Sequence, residues 1–469
     1  MLPLNDDAWR DWRDKWSLAE GVTYLNNGSF GPTPRAVSDA RRQWMEAVEA
    51  DPQDFLLRQL GPRLAEVRRR LGELVGTEGD NLALVDNASV AMNIVAASVR
   101  LQPGDEVLAN DHEYGAVLRL WQRACDRAGA KLIVQPLPVP IASADEVVET
   151  LFAAAGARTK LLVVSHVTSP TAIVLPVEAI CRRARELGLA TCIDGPHAIA
   201  MLDVHLDRLD CDYYAASCHK WLCGPLGTGF LYVHPRRQAV VEPALVSWGR
   251  TLEGDMASWR DEFNWVGTRD PSAYLAVPEA IDFLARAGFD FFRQRTHALA
   301  AYARESFAGR LGSEALVPDS PRWYGSMISL RLPEGEAEPL QKALWQRYKI
   351  EVPIVSWQGL RLVRPSCHLY TGREDIDRLV NAVAAYQRYG GPCIVVDLGT
   401  ATTLDVVSDA GVYLGGVIAP GMETSLDALT SRAARLVKVD LIPPERVIGR
   451  STVESMRSGL VLGTVAMMT

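Results

Sequence analysis

A chain of 469 residues, 48% hydrophobic and 23% charged, has the composition of a globular protein of roughly two or three domains. Its net charge of −8 leaves no basic footprint for nucleic acid, and its longest apolar runs are strand-sized, too short to cross a bilayer. The start, Met1-Leu-Pro-Leu-Asn-Asp-Asp7, lacks the basic-then-apolar pattern of a signal peptide, and eight cysteines with no Cys-x-x-Cys pair fit a reduced, cytoplasmic protein without a metal site.

From about residue 81 to 233, strand-like apolar runs alternate with helical stretches. Asp86-Asn-Ala-Ser-Val-Ala-Met-Asn93 reads as a helix starting at small polar residues, whose free amides suit an anion, with Ser89 adding a hydroxyl. An ordinary helix cap has the same pattern. Tyr114, in Asp111-His-Glu-Tyr-Gly115, is placed either to stack on a ligand ring or to fill a core. Lys160 to Val167 is a short, β-branched run expected as a buried strand. An amphipathic helix follows, with Val177, Ile180, Cys181, Ala184 and Leu187 on one face and Gly188 as its stop. Leu189 to Asp194, Tyr213 to Ser217 and Gly229 to Val233 continue as strands, predicting a largely parallel sheet covered on both faces.

Beyond Arg236 the chain turns to Ala- and Arg-rich helices, such as Ile281 to Gly288. Ser326 to Leu332 alternates as an exposed-face strand of a smaller α+β unit would. A discontinuity at Gly390-Gly-Pro392 precedes a fresh strand, Cys393 to Asp397.

Two residues at strand ends stand out. Asp194 closes a strand, and Lys220 lies in Ser217-Cys-His-Lys-Trp221, followed by the glycine-rich Gly224-Pro-Leu-Gly-Thr-Gly229. A lysine amine bonds the aldehyde of pyridoxal phosphate, and a carboxylate keeps the pyridine nitrogen protonated; both belong at the carboxyl ends of a doubly wound sheet. Asp-Gly by itself equally begins a common turn.

The ordered motifs Tyr24-Leu-Asn-Asn-Gly-Ser-Phe-Gly31, Asp194-Gly-Pro-His197 and Ser217-Cys-His-Lys-Trp-Leu-Cys-Gly-Pro225 resemble the class V aminotransferase family, fold-type I pyridoxal phosphate enzymes, over about residues 23–385. The isopenicillin N epimerase-like branch is the most similar. The resemblance implies Lys220 as the catalytic, cofactor-bonding lysine and Asp194 as the pyridinium partner. His197 and Ser169 would bond the phenolic oxygen; Ala88, Ser89, Ser217 and His219 would hold the phosphate, and Tyr114 would stack on the ring. Thr268 would reach the phosphate of a neighbouring subunit, making a homodimer with shared sites, while Asn27 and Arg364 would bind an amino-acid substrate. The loop Ile354-Val-Ser-Trp-Gln-Gly-Leu360 lacks the nucleophilic cysteine of the cysteine desulfurases, and Cys367 follows the arginine instead, so persulfide chemistry is not expected.

The last segment, about residues 375–469, resembles the second half of a type III pantothenate kinase, an actin-like (ribonuclease H-like) α/β fold. Asp397-Leu-Gly-Thr400-Ala-Thr402-Thr403 joins an acid at a strand end to a glycine turn with hydroxyls, a design for nucleotide phosphate, and Gly415-Gly-Val-Ile-Ala-Pro-Gly421 reads as a second glycine-rich turn. Asp377-Arg378 fits both the closing helix of the first family and the catalytic-base helix of the second. No first-lobe Asp-x-Gly-Asn-Thr motif occurs, so kinase activity is expected to be absent. The expected division is 1–40 as an N-terminal segment packing with the small domain, 41–260 as the large cofactor domain, 261–388 as the small domain and 389–469 as the partial kinase-like lobe.

Overall fold

A computed structural model describes residues 4–247, 258–389, 393–399, 401–407, 413–433 and 436–468. A short ladder pairs β1 (Thr23–Tyr24) with a later strand. The central sheet then takes β2 (Leu82–Val85), β3 (Glu106–Asn110), β4 (Lys131–Gln135), β5 (Thr159–Ser165), β6 (Ala190–Asp194), β7 (Tyr213–Ser217) and β8 (Gly229–Val233) in the order β2-β8-β7-β6-β5-β3-β4. Strands β4, β3, β5, β6 and β7 run parallel, while β8 is antiparallel to both β7 and β2. The largely parallel sheet read from the sequence is therefore present, with a reversed strand near one edge.

Strand β5 is apolar on both faces, and every residue but Lys160 is buried, as a strand covered by helices on each side requires. On one face lie α1 (Ala88–Ser98) and α2 (Gly115–Ala128), whose Met92, Val95 and Trp121 pack over Val163, Cys192 and Ala215. Burying each large apolar side chain contributes ~1.5–3 kcal/mol, so this layer fixes α1 and the strand ends beside it. In α3 (Val177–Glu186) the expected Val177, Ile180, Cys181 and Ala184 are buried. Leu187 corrects the expectation: it falls past the last helical turn and is 43% exposed, while Gly188 at φ 69° makes the stop.

The smaller antiparallel sheet holds β9 (Leu330–Leu332), β11 (Ile354–Trp357) and β12 (Leu360–Val363), in the order β11-β12-β9; β10 (Ile350–Glu351) is the partner of β1. The expected exposed-face strand over 326–332 is present at its end, where Arg331 is exposed between buried Leu330 and Leu332, and is corrected before it. Only Leu330–Leu332 is strand, and Ser326 to Leu330 is wholly buried, so alternation there came from small residues packed against neighbouring segments rather than from a solvated face. The N-terminal segment docks on this part of the fold: the Trp16 ring meets Phe283, His368 and Tyr370 edge-on at 5.1–5.5 Å, and Asp6 accepts from Arg295 at 2.5 Å.

The chain separates into two compact units, one of residues 1–337 and 351–377, the other of residues 338–350 and 378–469. One of its crossings, from Asp377 to Arg378, falls within a helix, α4 (Arg373–Tyr389). In the second unit, β13 (Cys393–Leu398), β14 (Ala401–Val407) and β15 (Tyr413–Pro420) form an antiparallel meander. Gly415 and Gly416 lie within β15, paired with Val406 and Asp405, so the second glycine-rich turn read from the sequence is a strand; Gly415, at φ 125°, sits at the register shift.

Candidate active site

The chain runs from β3 to β4 on one side and returns to β5 on the other, so the crevice for a ligand opens at the carboxyl ends of β3, β5, β6 and β7. Asp194 ends β6, Ser217 ends β7, and Lys220 follows three residues later. Lys220 Nζ lies 3.1 Å from His197 Nε2.

Main-chain contacts hold the lysine loop. The Lys220 carbonyl accepts from Cys223 N at 3.2 Å and from Asn27 Nδ2 at 3.3 Å, and Gly31 N donates to the His219 carbonyl at 3.0 Å. Glycine is required at Gly31: a Cβ there would stand 2.2 Å from the Lys220 oxygen and 2.6 Å from that of His219. In the following loop Gly227 adopts φ 82° and faces open space, while a Cβ at Gly229 would stand 2.4 Å from the Ala216 oxygen. Asn27 is fully buried, its oxygen accepting from Tyr370 Oη at 3.0 Å, so the structure joins it to the lysine's main chain.

The electrostatics are those of a dry pocket. Burial pushes the Lys220 amine down, Arg364 adds to this and Asp194 opposes it. Burial pushes the Asp194 carboxyl up, and Lys220 opposes that. His197 is held well below its ordinary value by burial, then by Lys220, Arg364 and His219, so its ring is neutral; His219 is pushed down to about 4, chiefly by burial.

Several polar groups here lack protein partners. The Asp194 carboxylate is 5% exposed and has no hydrogen bond to its side chain among the described residues. The Nδ1 atoms of His197 and His219 are buried without a partner, as is Arg364 Nε. Buried groups of this kind are ordinarily satisfied. Their clustering around Lys220 brings together donors and a carboxylate that the described protein residues leave unsatisfied.

The N-terminus of α1 lies beside Ser217. Asn87 caps the helix, its side chain accepting from Val90 N at 3.0 Å, and the buried Ala88 amide donates to Ser217 Oγ at 3.0 Å. Ser89 is exposed one position further on, with its hydroxyl at the helix N-terminus. Arg364, 5% exposed, donates to the Ser169 carbonyl and to Ser29 Oγ at 3.3 Å; Ser169 thus enters through its main chain. Tyr114 caps α2 with its ring 48% exposed. Thr268 is exposed, in the turn before Arg269, which pairs with Asp86 at 2.9 Å.

The structure adds residues that sequence reasoning passed over. Ser29 meets Arg364, and Glu113, 4% exposed, lies behind the pocket; nothing in a local pattern distinguishes that acid from its solvated neighbours. Trp357 is another. Its ring lies 4.3 Å from that of His112, its indole donates to the Asp111 carbonyl at 2.9 Å, and Gln358 Nε2 reaches Asp111 at 3.2 Å, so the β11–β12 hairpin is pinned to the loop carrying Tyr114.

In the second unit, Asp397 accepts from Asn381 Nδ2 at 3.0 Å, Thr402 is fully buried, and Thr400 lies outside the described residues. Asp377 is bonded by Tyr302 Oη at 2.9 Å and lies 3.7 Å from Arg310.

Comparison with known proteins follows this division. Residues 23–379 match the aminotransferase class-V family, and residues 337–469 match the type III pantothenate kinase family. The chain is 41% identical over 392 residues to isopenicillin N epimerase of Amycolatopsis lactamdurans, covering 80% of this chain and 98% of that protein. It is 32% identical over 408 residues to the putative L-cysteine desulfhydrase 1 of Oryza sativa subsp. japonica, covering 77% and 83%. A solved complex of the cystine C–S lyase C-DES superposes with TM-score 0.70 at 22% identity over 78% of this chain and 98% of that one, which shows the fold. The final segment is 61% identical over 87 residues to type III pantothenate kinase of Frankia alni, spanning 35% of that kinase.

Proposed function

The chain belongs to the aminotransferase class-V family, and we propose that it is a pyridoxal phosphate enzyme acting at Cα of an amino acid, of the epimerase or C–S lyase type. The observation that carries the reading is the pair of dry, mutually opposed groups Asp194 and Lys220, with the carboxylate left unbonded by protein. The cofactor, when bound, supplies an electron sink that makes the Cα proton acidic.

The residues present suit that group. Ser217, Ser89 and the α1 amides would hold its phosphate, Asp194 its ring nitrogen, and His197 with Ser169 its phenolic oxygen. Tyr114 would lie over its ring. Arg364 would exchange its present bonds to Ser169 and Ser29 for the two oxygens of a substrate carboxylate, a match of fork to fork. Lys220 Nζ, favoured as a free amine by burial, takes the proton from Cα and returns it, with neutral His197 beside it as an acceptor. Epimerisation, transamination and C–S lysis share this proton removal, and the names of the relatives support the first and third.

Delivery of sulfur onto an enzyme cysteine is not part of the proposal. The β11–β12 hairpin holds no cysteine and is tied down by Trp357, and Cys367 is fully buried with its thiol pushed up to about 12 by burial. Thr268 is proposed to complete the phosphate site of a second copy in a cytoplasmic homodimer; a monomer that retains the cofactor fully would refute this. Among the described residues no helix is long and apolar enough to cross a membrane. The second unit is proposed to lack phosphoryl transfer, since the chain spans only part of the kinases it matches.

The test is near-visible absorption of the purified protein after incubation with pyridoxal phosphate. A band is expected in the wild type and its loss in Lys220→Ala. A wild type that stays colourless would overturn the assignment.

A further inference from the structure

Asp194 is not the only acid behind the pocket. Glu113 stands in the turn between β3 and α2 with 4% of its surface exposed. Its carboxyl takes three hydrogen bonds: from Ser165 N at 2.9 Å, from Ser165 Oγ and from Asn110 Nδ2. Ser165 is the register partner of Asp194 across β5 and β6. Register partners of parallel strands project to the same face, so Glu113, Ser165 and Asp194 stand in a row at the carboxyl edge of the sheet.

No Lys or Arg among the described residues is hydrogen-bonded or ion-paired to Glu113. The ionisable groups facing it are Asp194 and the buried Cys192 on β6, with Lys220 beyond Asp194. His112 is turned away, its ring nitrogens on Thr171 at 2.7 Å and the Leu137 carbonyl at 3.1 Å.

We propose that Glu113 is a positioning residue that stays a neutral carboxylic acid in the working enzyme, so that Asp194 alone carries negative charge toward the cofactor's ring nitrogen. Two carboxylates a strand apart in a dry region do not both ionise cheaply. The ring nitrogen's proton favours charge on Asp194, so the remaining proton belongs to Glu113, on Oε2, where it turns the Ser165 Oγ bond round so that the carboxyl donates, while Oε1 keeps the two N–H donors. Burial pushes the Glu113 carboxyl up to about 8; the bonds from Ser165 and Asn110 offset part of this, and Asp194 adds to it. The placement also keeps Ser165 and Asn110 oriented at the mouth of β5 and β3, which a shorter side chain would not do. The inference rests on the pyridoxal phosphate reading for the purpose of the charge, while the protonation of Glu113 is a property of the chain.

The experiment is an infrared difference spectrum between wild type and Glu113→Gln at pH 7, with cofactor. A protonated-carboxyl stretch present in the wild type and absent in the variant is expected. Ser165→Ala, which removes one bond to the group, should shift that band to higher frequency and serves if Glu113→Gln does not fold. A wild type without the band, or a band unmoved by both substitutions, would overturn the proposal. Failure of the cofactor reading shows separately, as absence of near-visible absorption in every variant, since the carboxyl band is read with or without the cofactor.

Discussion

Replacing Gly31 by alanine is the sharpest way to ask whether the N-terminal segment after β1 positions the catalytic lysine. The added Cβ would meet two main-chain oxygens, at 2.2 Å from Lys220 and 2.6 Å from His219, and neither can rotate away as a side chain could. Ordinary contact lies at about 3.4 Å, so the lysine loop or the segment must shift by about 1 Å, which also breaks the Gly31 N–H bond to the His219 carbonyl. Overpacking of this sort costs ~1–3 kcal/mol in stability. A displacement of about 1 Å at a reacting group costs on the order of 10²-fold in rate. Absorbance titration with pyridoxal phosphate and turnover of a substrate amino acid measure the two effects, and kcat is expected to fall far more than secondary structure or folding midpoint. A variant with wild-type cofactor affinity and kcat would show that the segment merely passes the site.

Two other outcomes follow from buried charge and from the second unit. His166, His219 and His368 are each pushed down to about 4, chiefly by burial, so the unfolded chain takes up protons below pH 6.5 while the fold resists them. Their stabilisation is complete above pH 6.5 and lost as pH falls toward 4, by up to ~3 kcal/mol for fully buried His368. Glu113 and Asp194, pushed up to about 8 and about 7, act oppositely, losing stability as pH rises, but the three histidines, joined by His197, outweigh these two acids below neutrality; a urea midpoint that stays flat from pH 7 to 4.5 would contradict this. For the second unit, incubation with ATP and pantothenate is expected to give no phosphopantothenate, and product formation abolished by Asp397→Ala would reverse that expectation.

The parallel strands and the pair Asp194 and Lys220 were legible because strand runs and motif order are local in sequence. Arg364 became legible through resemblance alone, its ligands Ser29 and Ser169 lying far away in the chain. What stayed hidden depends on burial between distant segments. Glu113 reads as a surface acid until Ser165 is folded over it, and Ser326 to Ser329 read as half-solvated until Thr296, the Pro170 carbonyl and the segment Pro365 to Cys367 close around them. The glycines of β15 misled for a related reason: glycine marks a turn or a strand irregularity equally well, and only pairing with β14 decides.

Helix α4 gives the border between the two units an unusual material character. Asp377, the last residue on one side, is clasped by the Tyr302 hydroxyl, and Arg378, the first on the other, donates to the Tyr348 carbonyl at 2.8 Å. A protease needs extended backbone, so cutting between Asp377 and Arg378 requires melting helical turns of α4 first.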